Sequence, residues 1–242
     1  MNFPEIQAPK LPDVPPFPGT EGLQNPQARR RVVLASHNAG KLAELQRLVD
    51  AAGVGVQLVS LAEVGATEAP DETGATFEEN ALIKARAAHR ATGFAALADD
   101  SGLAVDALNG MPGIRSARWA GPGRDDQANN DLLLAQLDDL PEGARRAQFV
   151  CAMALVAEDG SEQVRLGEWP GHVALSPRGS NGFGYDPIFC PEGSDQTSAE
   201  LDPAQKDAQS HRARAVAAIL PLLAGAPAGD STGDGTADDS PH

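Results

Sequence analysis

Basic residues are scarce in this sequence of 242 residues, which holds 19 Lys and Arg against 34 Asp and Glu, for a formal net charge of -15. Proteins that bind nucleic acid irrespective of its sequence rely on clustered cations that displace counterions. The charge balance therefore argues against that class of protein. It leaves room for a small anionic ligand, because charges are screened over about 8 Å at physiological salt and a few cations in a cleft set the local potential.

Long apolar runs, cysteines and aromatic residues are also scarce. No run approaches the roughly 18 apolar residues of a membrane span, and no basic segment followed by an apolar one stands near Met1. The two cysteines, Cys151 and Cys190, have no partner motif, which favours small buried thiols in a reducing compartment. We expect a soluble, cytoplasmic protein whose core consists mostly of Ala, Val and Leu, since only 4% of the residues are aromatic.

Composition divides the chain into three parts. Residues 1–30 are crowded with proline and show neither a helical nor a strand period, and residues 225–242 are rich in Gly, Ser, Thr, Asp and Pro without Lys or Arg. We expect the first to be a disordered Pro-rich extension and the second a disordered acidic tail. Residues 31–224 are expected to form the folded domain.

Apolar runs and helical periods alternate within that domain. Strands are predicted at 32–35, 56–61, 94–98, 103–105, 148–156 and 164–169. Helices are predicted after residue 41 and at 76–92, 126–137 and 203–223, the second one closed by Gly93. This alternation indicates an α/β fold with a mixed sheet and flanking crossover helices.

The segment from Ser36 to Lys41 stands where a predicted strand ends and a helix begins. Main-chain N–H groups and the positive end of the helix dipole can meet an anion at such a point, and Lys41 adds a full charge. Alternatively, Ser36 or Asn38 only caps the helix and Lys41 is solvated. The segment lacks the Gly-Lys-Ser/Thr ending of the common phosphate loop.

Asp99 and Asp100 follow an apolar run, which places two adjacent carboxylates at a strand end, where α/β proteins collect ligands. Neighbouring side chains of an extended strand point in opposite directions, so both can approach one magnesium ion only if the chain turns there. Ser101 and Gly102 are expected to supply that turn. An ordinary Asp-rich turn that closes a hairpin is the alternative.

Two further charged residues belong to this set of candidates. Glu72 is a loop carboxylate that either joins the acidic site or is simply solvated. Lys84 lies four residues after Asn80 on a predicted helix, so the two share one face. Lys84 either belongs to a surface pair or compensates the acidic residues and touches phosphate.

A glycine-rich segment, residues 179–186, combines three glycines with Phe183, Tyr185 and Asp186. Glycines let a backbone approach a flat ligand, and an aromatic face stacks on a base for roughly 1 to 3 kcal/mol. A structural turn with core-facing aromatics is the alternative.

Three more candidates lie on the last predicted helix, namely Lys206, His211 and Arg212. The forked donors of an Arg suit phosphate or a keto oxygen. A charged outer helix face and a structural histidine are the alternative interpretation.

Six short blocks, in this order, resemble the inosine/xanthosine triphosphate pyrophosphatase family over about residues 31–223. The blocks are Ser36-x-Asn38-x-x-Lys41, Glu72-Thr73-Gly74 leading to Phe77-x-Glu79-Asn80-Ala81, Ala98-Asp99-Asp100-Ser101-Gly102-Leu103, Pro112-Gly113-Ile114-x-Ser116-Ala117-Arg118, Gly182-Phe183-Gly184-Tyr185-Asp186-Pro187 and Ser210-His211-Arg212. The long N-terminal extension departs from the family's usual start.

The resemblance implies a role for each candidate. The triphosphate would be bound by Ser36, His37, Asn38, Ala39, Gly40 and Lys41. Asp100 would bind Mg²⁺ together with Glu72 and would act as the base for water or position it, and Asp99, Lys41 and Lys84 would support catalysis. Ser101 would touch the substrate, and the nucleotide pocket would comprise Phe183, Gly184, Tyr185, Asp186, Lys206, His211 and Arg212.

The resemblance also implies an elongated, two-lobed α/β fold around a central nucleotide cleft, a homodimer, and hydrolysis of ITP, dITP or XTP to monophosphate and pyrophosphate. Residues 31–224 would be the pyrophosphatase domain. A pyrophosphatase for modified pyrimidine triphosphates and a non-catalytic nucleotide sensor are the alternative functions. An acidic interaction protein would explain the tail but none of the ordered blocks.

Overall fold

The computed structural model describes residues 29–36, 39–66 and 70–224. The predicted disorder of residues 1–28 and 225–242 lies outside these ranges, as do the candidates His37 and Asn38. The first strand begins at Arg30, one residue before the predicted start of the folded domain.

The described chain forms one six-stranded sheet with flanking helices. The strands are β1 Arg30–Leu34, β2 Val56–Ser60, β3 Ala96–Val105, β4 Arg146–Val156, β5 Glu162–Val173 and β6 Phe189–Pro191. The α-helices of the described residues are α1 Ala39–Ala51, α2 Phe77–Thr92, α3 Asp126–Gln136, α4 Pro203–Gln209 and α5 His211–Leu223.

Strand order in the sheet is β2-β1-β3-β4-β5-β6. β1 runs parallel to β2 and β3, whereas the pairs β3–β4, β4–β5 and β5–β6 are antiparallel. The predicted mixed α/β sheet is therefore confirmed. β1 and β3 pair only at Val33–Leu34 with Ala96–Leu97. Beyond Leu97 the described part of β3 is paired on its β4 side, apart from an isolated bridge between Ala104 and Pro112.

Helices cover both faces of the β1 to β4 half of the sheet. On one face α1 and α5 bury Leu45, Val49 and Ile219 against the strands. On the other face α2 presents Ala81 and Ala85 to strand alanines, and these small side chains let the helix lie close to the sheet. Each fully buried large aliphatic side chain contributes about 1.5–3 kcal/mol relative to exposure.

Most of the large buried aromatic residues lie in the other half of the sheet. Phe149 of β4 packs edge-on against Phe189 of β6 at 4.6 Å between ring centroids, and Trp169 of β5 completes the group. The predicted core of mostly Ala, Val and Leu is therefore confirmed for the described residues, and the buried aromatic residues gather in one cluster within it.

The bounds of α2 agree with the prediction because the sequence carries both caps. The Thr76 side chain accepts a hydrogen bond from Glu79 N, and Gly93 adopts a left-handed conformation (φ 72°) in which its N–H donates to His89 O. A side-chain cap at the N-terminus and a left-handed glycine beyond the C-terminus are common helix boundaries.

The predicted turn at Ser101 and Gly102 is wrong. β3 continues through Asp99 and Asp100 to Val105, and each of its residues pairs with β4. Gly102 serves close packing instead of a turn, because a Cβ there would overlap the carbonyl of Gly113 in the adjoining 3-10 turn.

The single helix predicted at 203–223 is also wrong, since the chain breaks at Ser210. Ser210 has an extended conformation (φ -63°, ψ 161°), and its hydroxyl accepts from Ala213 N. A serine that satisfies a free N–H of the first turn starts a new helix. As a result α5 begins at His211.

Cys151 and Cys190 are both buried and free, as predicted. No helix among the described residues is long and apolar enough to cross a membrane.

Candidate functional site

A cleft of about 1130 Å³ opens beside β3, beyond the point where β1 ends. It continues into a smaller inner pocket of about 110 Å³ between β4 and the start of α5. Both compartments are bordered by Ser101, Ala117, Asp126, Phe183 and Arg212.

Asp99 lies on the α1 and α5 face of β3, with its side chain 1% exposed. Its Oδ2 accepts from Lys41 Nζ at 2.8 Å and from Ser101 Oγ at 3.0 Å, and Arg212 Nε lies 3.7 Å away. Burial alone would raise the pKa of this carboxyl, but Lys41, Arg212 and Lys84 outweigh it and hold the pKa well below its usual range. Asp99 is therefore ionised and pairs with the side chains of Lys41 and Arg212.

Asp100 lies on the opposite face of the same strand, towards α2. Its Oδ1 accepts from Lys84 Nζ at 2.9 Å, and its Oδ2 lies 3.4 Å from Asn80 Nδ2. Burial raises the pKa of Asp100, and the nearby Lys84 ammonium only partly offsets this effect. Two neighbouring carboxylates thus have pKa values shifted in opposite directions, which is a pattern of acid–base sites.

Both carboxylates line one cleft although they point to opposite faces. Since β1 stops at Leu34, no described strand covers the edge of β3 at these positions. The cleft passes around this free edge. The gap beside β3 thus lets Asp99 and Asp100 line the same cleft without the turn that was expected there.

Lys84 connects the carboxylates on the α2 side. Its Nζ donates to Glu72 Oε1 at 2.9 Å as well as to Asp100, and Arg118 Nη1 lies 3.4 Å from Glu72 Oε2. Burial would lower the pKa of Lys84, but the carboxylates Asp100, Asp99 and Glu72 raise it. The ammonium therefore stays charged inside the cleft.

Glu72 and Asp100 are suitable for a magnesium ion by the chemistry of their donors. Mg²⁺ prefers carboxylate oxygens, keeps several waters and is commonly bound by one or two carboxylates together with substrate phosphates. Among the described residues no group of three or more His, Cys, Asp or Glu could hold a metal. Glu72 and Asp100, which both accept a hydrogen bond from Lys84, provide the one or two protein carboxylates that a magnesium ion commonly needs.

The start of α1 forms the other wall of the cleft. Ser36 follows β1, Ala39 and Gly40 begin the helix, and Lys41 points to Asp99. The strand-to-helix position predicted for this segment is confirmed. N–H groups at a helix N-terminus, next to a lysine, suit an anion.

The inner pocket is walled by aromatic rings. His211 stacks on Phe149 at 4.8 Å with an interplanar angle of 12°, and both rings are buried. Phe183 is 44% exposed, and the cations of Lys206 and Arg212 lie 5.4 and 4.9 Å from its ring centroid. A flat ring can enter between such walls.

Buried donors and acceptors without partners lie at this pocket. His211 Nδ1 and Arg212 Nε make no hydrogen bond among the described residues. Burial, with Arg212 and Lys206 nearby, lowers the pKa of His211 well below 6.5, so that the imidazole is neutral. Buried polar groups normally have a partner, and a ligand could supply it.

Two residues of the glycine-rich segment have structural contacts. The Tyr185 ring is buried, and its hydroxyl donates to Ser116 O at 2.9 Å. The Asp186 carboxylate accepts from Phe183 N at 2.8 Å, Ser198 Oγ at 2.8 Å and Lys206 Nζ at 2.5 Å. These bonds hold the segment in shape, and Phe183 is its exposed ring.

The structure brings the predicted residues together with few exceptions. The outer cleft is lined by Ser36, Lys41, Glu72, Lys84, Asp99, Asp100, Ser101, Phe183 and Arg212. The inner pocket adds Gly184, Tyr185, Asp186, Lys206 and His211. Gly40 lines neither compartment.

Sequence reasoning missed Glu44, whose Oε2 lies 3.4 Å from Arg212 Nη1 in a buried pair. Its position three residues after Lys41 on one helix face was the available signal. Arg118, Ser116 and Asp126 were also missed. Arg118 and Ser116 belong to one of the six matched blocks, but nothing in the sequence predicted that Arg118 contacts Glu72 or that Ser116 contacts Tyr185.

Comparisons with known proteins agree with this geometry. The model of the Ham1 family matches residues 32–222. The chain is 60% identical to a protein of Nocardia farcinica named dITP/XTP pyrophosphatase over 195 residues, which are 80% of this chain and 95% of that protein. The chain belongs to the Ham1 family.

Solved structures show the same fold. A nucleoside-triphosphatase / dITP/XTP pyrophosphatase of Mycobacterium abscessus is 58% identical with a TM-score of 0.67, over 80% of this chain and 99% of that one. A HAM1 protein of Coxiella burnetii is 42% identical with a TM-score of 0.74, over 80% and 98%.

Proposed function

We propose that this chain hydrolyses non-canonical purine nucleoside triphosphates, namely ITP, dITP and XTP, to the monophosphate and pyrophosphate, and so removes deaminated purines from the nucleotide pool. One observation carries the proposal: the Asp99–Asp100 pair, with oppositely shifted pKa values, borders a cleft lined by both cations and carboxylates that continues into an aromatic pocket. The names of the relatives, dITP/XTP pyrophosphatase, support it.

The outer cleft supplies what phosphoryl transfer to water requires. Lys41 and the start of α1 bind the negative charge of the triphosphate, and Lys84 keeps a second cation beside Asp100. Asp100, whose pKa is raised, accepts the proton of the attacking water or orients that water. Mg²⁺, held by Asp100 and Glu72, would neutralise developing charge on the phosphate oxygens.

The inner pocket supplies discrimination between bases. The buried Arg212 guanidinium pairs with Glu44 and Asp99, but its Nε makes no hydrogen bond among the described residues, and this donor would meet the 6-keto oxygen of hypoxanthine or xanthine. The 6-amino group of adenine would leave this donor unpaired. A buried polar mismatch of this kind costs several kcal/mol.

The cofactor, assembly and compartment complete the proposal. The cofactor is Mg²⁺, for the donor chemistry given above. A homodimer follows from the family resemblance alone. A cytoplasmic location is supported by two free, buried cysteines.

The test is release of pyrophosphate from ITP, XTP, ATP, GTP and UTP with Mg²⁺, beside the variant Asp100→Asn. We expect rapid release from ITP and XTP alone, and a loss of at least about 100-fold in the variant, because the proton acceptor and a metal ligand are gone. Activity on UTP or dTTP instead would favour the pyrimidine enzyme. Binding without turnover, unchanged in Asp100→Asn, would identify a nucleotide sensor.

A further inference from the structure

Asp126 stands at the junction of the outer cleft and the inner pocket, where none of the functional assignments above places a role. It lies in the first turn of α3, and its Oδ2 accepts a hydrogen bond from Gly184 N at 2.7 Å. Among the described residues its Oδ1 makes no hydrogen bond. One carboxylate oxygen is thus engaged with the glycine-rich segment, and the other can accept a hydrogen bond from a ligand in the cleft that Asp126 borders.

Asp126 lies where the sugar of a bound nucleotide is expected. The sugar lies between the base and the phosphates, so a nucleotide with its base in the inner pocket and its phosphates in the outer cleft places its sugar at the junction. The junction is bordered by Ser101, Ala117, Asp126, Phe183 and Arg212.

Among the junction residues, Asp126 is the one whose side chain has a charged oxygen available to accept a hydrogen bond. The Ser101 hydroxyl donates to Asp99, and Arg212 is held by Glu44 and Asp99. Ala117 and Phe183 have no polar side-chain atom. A carboxylate is the side chain that commonly accepts hydrogen bonds from sugar hydroxyls in nucleotide sites.

We propose that Asp126 Oδ1 accepts a hydrogen bond from the 3′-hydroxyl of the substrate sugar. This inference rests on the proposed function: ITP and dITP share the 3′-hydroxyl but not the 2′-hydroxyl, so a contact that serves both substrates falls on the former. The same carboxylate holds Gly184 beside Phe183, so the sugar contact is joined to the segment that covers the base pocket.

The test measures kcat/KM for dITP and for its 2′,3′-dideoxy analogue in the wild type and in Asp126→Ala. The wild type is expected to prefer dITP by roughly 10- to 100-fold, as a charge-assisted hydrogen bond provides. In Asp126→Ala the preference falls to about one. A purely structural role would reduce both substrates equally and leave the preference intact, and that result overturns the proposal.

Two further variants separate binding from folding. Asp131→Ala removes an exposed carboxylate of the same helix whose one hydrogen bond among the described residues comes from the Gln127 side chain, and it should keep the wild-type preference. Asp126→Asn keeps an amide oxygen for Gly184 N and should fold, yet lose most of the preference. If the wild type hydrolyses neither nucleotide, the proposed function fails, and the same ratio taken from dissociation constants still decides the role of Asp126.

Discussion

The two compartments of the cleft differ in which polar groups are left without a hydrogen bond. In the outer compartment buried cations are matched by carboxylates, as in Lys41 with Asp99 and Lys84 with Asp100. In the inner pocket Lys206 is matched by Asp186 in the same way, but the neutral His211 has an Nδ1, and Arg212 an Nε, that makes no hydrogen bond among the described residues. Because burying an unpaired charge is costly, a charged cleft must hold its own counterions before substrate arrives.

Under the proposed function, this difference corresponds to two tasks, namely binding of the triphosphate and recognition of the base. The triphosphate is the same in every substrate, so a dense network of paired charges suits it. The base is what distinguishes one nucleotide from another, and donors left without a partner distinguish keto from amino groups. Three predictions test this division, from the largest expected effect to the smallest.

Replacing Asp99 by Asn should damage the outer compartment most. It removes the anion that faces Lys41 and Arg212, and breaking a buried pair from one side costs about 3–5 kcal/mol of the free energy of unfolding. Guanidinium unfolding followed by circular dichroism measures this loss. The exposed pair Arg29–Asp50 offers a matched control, since Asp50→Asn should cost less than about 1 kcal/mol. Equal effects would refute the division.

Lys41→Met and Arg212→Lys should separate phosphate binding from base reading. Each removes a charge-assisted contact with the substrate, for a loss of about 10- to 100-fold in kcat/KM. Lys41→Met should lower ITP and ATP alike, because both carry the same phosphates. Arg212→Lys keeps the charge beside Asp99 but loses the forked donors, so the preference for ITP should fall. A changed preference in Lys41→Met contradicts this assignment.

His211 should make stability depend on pH through the inner pocket. Its pKa is lowered well below 6.5 in the folded protein by burial, so below pH 6.5 the unfolded chain binds one more proton than the folded one. The free energy of unfolding should therefore fall as pH falls, by up to about 1.4 kcal/mol per pH unit. Urea unfolding between about pH 5.5 and 7 measures this slope. His211→Phe, which can still stack on Phe149, should reduce it, and an unchanged slope would show that other groups cause it.

Local signals explain which elements were predicted correctly. The caps Thr76 and Gly93 bound α2 without help from the rest of the chain. The break at Ser210 had a signal, a serine that can cap, but the helical period of the residues on both sides concealed it. The course of β3 had no local signal at all, because Asp, Ser and Gly favour turns and only pairing with β4 keeps them extended.

Caps, hydrophobic periods and residue types were enough to predict the class of fold, the two cysteines as buried thiols and most of the candidate residues that line the cleft, because these signals act over short distances. The contacts among those residues follow from the tertiary fold. Arg212 of α5 contacts Glu44, 168 positions away on α1, and Asp99 on the face of β3 that α1 and α5 cover. These contacts depend on the packing of both helices on one face of the sheet, which joins segments far apart in the chain.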